Sequence, residues 1–79
     1  MAIEYSLDQR RYRLNLSKKE LFEICSTMGV DLKYDTICCI LDNQERARHF
    51  IPEKVDLLRA IMRELEEEQG IADIYFDER

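Results

Sequence analysis

The longest amphipathic pattern in the chain lies between residues 51 and 70, where apolar side chains recur at spacings of three and four. They are Val55, Leu58, Ile61, Met62 and Leu65. This spacing places them on one face of a helix. Pro52 suits the first helical position and Gly70 suits the end, so the pattern predicts a helix over residues 52–69. We expect the core to end at Leu65, with Glu66 and the residues after it in solvent.

Two shorter patterns precede this helix. Ser17 and Glu20 have the spacing of a capping box, and Gly29 is a typical helix stop, so a helix is predicted over residues 18–28. Asp31 is available as the next N-cap. The apolar residues that follow at helical spacing are Tyr34, Ile37, Cys38 and Leu41, widened by Leu32 and Ile40. They predict a helix that starts near residue 32 and either frays after Leu41 or continues, exposed, to about residue 48.

The two ends of the chain show alternating patterns instead. Within residues 1–16, apolar and polar positions alternate twice, which favours a short hairpin or an extended arm. Residues 72–77 alternate in the same way and could supply a third strand. The predicted fold is therefore mainly α, in one domain over residues 1–79. It consists of a three-helix unit (18–28, 32–48 and 52–69) between an N-terminal arm and an acidic, strand-like tail over residues 70–79.

The charge distribution narrows the choice of partners. The 79 residues carry a net charge of -5, which argues against a general nucleic-acid binder. From Glu64 to Arg79 there are seven acidic side chains and one basic one, while residues 1–16 hold three arginines and two acidic residues. The two ends either attract each other, face different partners or are separately solvated. No segment has the roughly 18 to 20 apolar residues of a membrane span, and no secretory signal is evident, so we expect a cytoplasmic protein.

No residue pattern indicates catalysis, a cofactor or a metal. His49 is the single histidine, and no nucleophile and carboxylate are arranged around it in sequence. The cysteines Cys25, Cys38 and Cys39 contain no CxxC spacing, which predicts buried free thiols. Cys38 and Cys39 are adjacent, so only one of them can lie at the centre of an apolar helix face. Glu66, Glu67 and Glu68 are consecutive and fan around a helix, which suits solubility. We therefore expect a protein that is not an enzyme and binds no cofactor.

Two stretches resemble a known family. They are LFEICSTMGVDLKYDTICCIL and IPEKVDLLRAIMREL, covering about residues 21–65. They are similar to the MOZART family of small mitotic-spindle organising proteins, whose chains contain three short helices. The matching positions are Leu21, Glu23, Ile24, Asp31, Ile37, Cys38, Leu41, Pro52, Glu53, Val55 and Leu58. Residues 43–50 depart from the family, because this link is longer by about one helical turn and lacks glycine.

The resemblance implies a noncatalytic subunit that forms a helical module with a gamma-tubulin complex protein and helps to recruit the microtubule-nucleating complex, at microtubule-organising centres. Independently of it, three helices of these lengths have more apolar surface than they can cover, so a partner helix could insert between the first and the third. The predicted partner-binding residues are Phe22, Ile24, Ile37, Leu58, Met62 and Leu65. In isolation, such a chain would be unstable or self-associated.

A second hypothesis is a self-contained acidic binding protein or inhibitor, for example one encoded by a phage. In that case the glutamates at residues 66–68 would dock on a basic target surface, and binding would weaken as the salt concentration rises.

Overall fold

The computed structural model describes residues 5–70, which form five α-helices. Their bounds are α1 Leu7–Arg13, α2 Lys18–Thr27, α3 Tyr34–Asp42, α4 Gln44–Phe50 and α5 Pro52–Gln69. The mainly α fold predicted from the sequence is confirmed. The strand predicted over residues 72–77 and the first four residues of the predicted arm lie outside the described residues.

The ends of α2 and α5 agree with the local sequence signals. The Ser17 hydroxyl accepts a hydrogen bond from the Glu20 amide at 3.1 Å, and the Glu20 carboxylate accepts one from the Ser17 amide at 2.8 Å. Gly29 ends α2 in the left-handed conformation, with φ of 77°, which costs glycine no steric strain. Pro52 begins α5, and Gly70 ends it with φ of 71°. These caps depend on residues within one helical turn, which explains why they could be predicted from the sequence alone.

A short hairpin or an extended arm was predicted over residues 1–16, and helix α1 corrects this prediction at residues 7–13. Its N-terminus has a capping box of its own, in which the Ser6 hydroxyl accepts from the Gln9 amide and the Gln9 side chain accepts from the Ser6 amide. Its C-terminus is followed by Asn15 in the left-handed region, with φ of 64°. Leu7 and Leu14, one heptad apart, lie on the same face and are both buried. The alternation that suggested strands is thus a helical pattern.

The single helix predicted over residues 32–48 is in fact two helices. Asn43 breaks the chain with φ of -148° and ψ of 81°, and its side-chain oxygen accepts a hydrogen bond from the Arg46 amide. Asn43 therefore caps α4, which occupies the link that is longer than in the MOZART pattern. Asp31 is not an N-cap, since α3 begins later, at Tyr34, with Lys33 as its N-cap and no side-chain cap.

All five helices contribute to one hydrophobic core. Helix α3 packs against α1, α2 and α4, while α5 packs against α1 and α4. The buried apolar side chains are Leu7, Leu14, Leu21, Cys25, Leu32, Ile37, Ile40, Leu41, Ala47, Val55, Leu58, Ile61 and Met62. Helix α1 therefore covers part of the apolar surface on α3 and α5 that was predicted to contact a partner.

A buried ion pair joins α1 to α5. The Arg10 guanidinium donates to both carboxylate oxygens of Glu66, at 2.9 and 2.6 Å, and the Glu66 side chain is only 1% exposed. The expectation that Glu66 lies in solvent is thus wrong, and the core extends beyond Leu65. Among the alternatives for the oppositely charged ends, attraction holds at this pair. The Leu7 amide also donates to the Gln44 side chain at 2.7 Å, which fixes the start of α1 against α4.

Candidate functional site

A groove between α2 and α5 is the candidate functional site. Its volume is about 420 Å³. Four apolar side chains line it, together with Thr27 and three carboxylates. The apolar residues are Leu16, Ile24, Met28 and Leu65, and the carboxylates belong to Glu20, Glu23 and Glu68. Leu16 and Leu65 also pack against the core, so the floor of the groove is continuous with the interior of the protein.

The fold creates this groove because α2 and α5 both pack on other helices more than on each other. Helix α2 packs mainly on α3, and α5 packs mainly on α4 and α1. Leu21 and Cys25 direct one face of α2 into the core, while Ile24 and Met28 lie on its open side. Met28 is 43% exposed. The groove lies between α2 and α5, the first and third of the helices predicted from the sequence, and insertion of a partner helix there stays a prediction.

The structure divides the six predicted partner-binding residues into three groups. Ile24 and Leu65 line the groove. Phe22 is half-buried at the boundary of α2 and α3, where its ring meets the Tyr34 ring edge to face at 5.9 Å between centroids. Ile37, Leu58 and Met62 are completely buried in the core of this chain. They therefore do not present a surface to a partner in this conformation.

The rim of the groove is negatively charged. Glu20 is held by its capping box, and the hydrogen bonds from the backbone and hydroxyl of Ser17 lower the pKa of its carboxyl, so it stays ionised at neutral pH. Glu23 and Glu68 are exposed. No lysine or arginine of residues 5–70 forms an ion pair with Glu23 or Glu68, and none lines the groove. The groove therefore offers apolar area beside uncompensated negative charge.

A second depression, of about 520 Å³, lies where α3 meets α4 and the start of α5. The exposed ring of Phe50 lines it beside Ile51. The Arg46 guanidinium lies over the Phe50 ring, 5.7 Å from its centroid, and Asp42 stands on the same wall. This depression carries charges of both signs, from Asp42 and Arg46, whereas the charged side chains described along the α2–α5 groove are all carboxylates.

The other residues considered for chemistry are the three cysteines and the single histidine. Cys25 is buried, Cys38 is partly exposed and Cys39 is exposed, so the prediction of buried thiols is correct for Cys25 and wrong for Cys39. All three are free thiols. His49 is exposed on α4, with its ring edge to face against Phe50. Among residues 5–70, no group of His, Cys, Asp and Glu side chains could hold a metal ion.

Sequence reasoning missed six of the eight residues that line the groove. They are Leu16, Glu20, Glu23, Thr27, Met28 and Glu68, of which Glu20 was recognised only as a capping residue. The spacing of Glu20, Ile24 and Met28, three residues four apart, could have identified one helix edge. Glu68 could not have been assigned, because only the tertiary structure brings α5 alongside α2.

None of the helices within residues 5–70 is long and apolar enough to cross a lipid bilayer. Comparison of the chain with protein-family models, curated proteins and solved structures gave no match. The resemblance to the MOZART family therefore remains a prediction from the residues quoted above. The helix α4 occupies the link that departs from that family, and α1 lies outside the matching stretches.

Proposed function

We propose that the chain is a noncatalytic protein-binding subunit whose α2–α5 groove receives a helix of a larger partner protein. The observation that carries this proposal is the groove itself, with Ile24, Met28 and Leu65 on an open apolar floor. Burying a large aliphatic side chain contributes about 1.5 to 3 kcal/mol, and a groove of this kind is how many proteins bind amphipathic helices. Met28 adds an adaptable side chain to the floor.

A more specific form of the proposal follows from the sequence resemblance. The partner helix would belong to a gamma-tubulin complex protein, and the chain would help to assemble or recruit the microtubule-nucleating complex in the cytoplasm. Support for this form comes from the residues shared with the MOZART pattern in α2, α3 and α5. Co-purification of gamma-tubulin with the tagged chain, lost on the change Ile24→Asp, is its direct test.

The alternative of an acidic docking surface is weakened by the position of Glu66. Its carboxylate is buried against Arg10 and cannot contact a target. Glu67 and Glu68 remain exposed, but Glu68 belongs to the groove. We therefore prefer binding in the groove.

A photo-cross-linking residue placed at Met28 tests the groove in the native cell. Phe50 is the matched control position, because it is also apolar and exposed but lines the other depression. We expect a discrete cross-linked partner from position 28 that disappears when Ile24 is changed to Asp. Cross-linking from position 50 alone would reject the groove as the binding site, as would a product at position 28 that persists in the Ile24→Asp variant.

A further inference from the structure

The charge on the groove specifies the chemistry of its occupant. Glu20, Glu23 and Glu68 surround an apolar floor, and no basic side chain of residues 5–70 lines the groove. We propose that the occupant is a basic amphipathic helix from another protein, with an apolar face flanked by lysine or arginine. This inference rests on the proposed function, since it requires that the groove binds a helix, and it adds the charge of the partner.

The size of the groove fits about three helical turns. Helix α2, which forms one wall, has 10 residues. At about 1.5 Å per residue, this wall is about 15 Å long. Apolar side chains of the partner at helical spacing would contact Ile24, Met28 and Leu65. Basic side chains beside that face would then reach the carboxylates of Glu20 and Glu23 on one wall and of Glu68 on the other.

The carboxylates are available for such contacts. Glu23 and Glu68 form no ion pair with another residue in the described part of the chain, and both are exposed. One oxygen of Glu20 accepts the Ser17 amide, but the group remains charged and exposed. Complementary charge of this kind steers association and excludes partners of the wrong sign.

Two other occupants fit the charge less well. Residues 71–79 follow α5 directly, but they carry three acidic side chains and one basic one, so they would be repelled by the glutamates. A second copy of the chain would bring a net charge of -5 and the same acidic groove. The negative charge thus favours a partner of opposite sign over both.

Binding of designed peptides to the full chain, measured by fluorescence anisotropy, tests the inference. The probe is a helical peptide of about 18 residues, long enough for the groove, with a leucine face flanked by lysines. A second peptide keeps the leucine face and replaces the lysines with glutamates. A third has the composition of the first in scrambled order, which destroys its amphipathic face but keeps its charge.

We expect the lysine peptide to bind about tenfold more tightly than the glutamate peptide at low salt, because three exposed ion pairs each contribute a few-fold. The preference should largely vanish at about 0.5 M salt, where exposed charges are screened. The variant E20Q/E23Q/E68Q should lose the preference. Glutamine at residue 20 can still complete the capping box.

A matched control separates the groove from the overall charge. The variant E45Q/E53Q/E67Q changes the net charge by the same amount at three exposed positions that do not line the groove. It should keep the full preference for the lysine peptide. An equal loss in this control, or equal binding of the scrambled peptide, would show attraction to the protein as a whole and overturn the inference.

The remaining outcomes distinguish this inference from the proposed function. Equal binding of both amphipathic peptides, weakened by Ile24→Ser, would overturn the basic-helix inference and leave the groove function standing. If neither peptide binds while position 28 still cross-links to a natural partner, the basic-helix inference is overturned and the groove function stands. Tighter peptide binding after Ile74 and Phe76 are changed to serine would identify the tail as the occupant. A dimer that Ile24→Ser dissociates would identify a second copy, and either result would also overturn the inference.

Discussion

Replacing Arg10 with methionine should destabilise the protein strongly, although Arg10 lies on a helix of only seven residues. The change keeps an unbranched side chain but leaves the Glu66 carboxylate, which is 1% exposed, without its guanidinium. Removing one partner of a buried pair costs about 3 to 5 kcal/mol. Because Arg10 itself is 15% exposed, we expect a smaller loss, of about 2 to 4 kcal/mol. A chain of this length has a total stability of about 4 to 12 kcal/mol, so the loss is a large fraction.

Urea denaturation followed by circular dichroism measures this effect. With the slope typical of a small protein, the midpoint should fall by about 2 M. The matched control is Arg63→Met, at an exposed position on α5, which should change stability by less than about 0.5 kcal/mol. The double variant Arg10→Met with Glu66→Met should recover at least half of the loss, because no charge is then buried. Equal effects of Arg10→Met and Arg63→Met would refute the reasoning.

Three further predictions follow from the core, the break before α4 and the buried thiol. Leu58 is 0% exposed and Leu57 is 38% exposed. In urea denaturation, Leu58→Ala should therefore lower the free energy of unfolding by about 2 to 5 kcal/mol, and Leu57→Ala by less than about 1 kcal/mol. Similar losses in the two variants would show that Leu58 is not a core residue. Asn43→Ala should lower the free energy of unfolding by about 1 kcal/mol, and Asn43→Asp by much less, because Asp also caps helices. Equal losses in the two variants would show that the Asn43 side chain does not cap α4. Burial raises the pKa of the Cys25 thiol, so folding favours its protonated form. That stability is present below the ordinary thiol pKa of about 8.5 and falls as the pH rises through the higher folded value, and Cys25→Ala should flatten this alkaline decline. The same loss of stability at alkaline pH in Cys25→Ala and in the unchanged protein would contradict this prediction.

The sequence alone determined the elements whose signals are local. The capping box at Ser17 and Glu20, the glycines at residues 29 and 70, and Pro52 each act within one helical turn, so they fix the bounds of α2 and α5 wherever these helices pack. The apolar periodicity of α5 likewise identified its buried face, including Val55.

Other features were decided only by tertiary contacts. Helix α1 is too short to be stable alone. It is stabilised by Leu7 and Leu14, which are buried in the core, and by the ion pair between Arg10 and Glu66. Glu66 was assigned to solvent because an isolated glutamate is costly to bury, and its partner lies 56 positions away in sequence. Periodicity shows which residues share a helix face. Periodicity does not show that Leu58 is enclosed by the chain itself while Ile24 borders an open groove. This difference depends on how the five helices pack against one another and which apolar surfaces they cover.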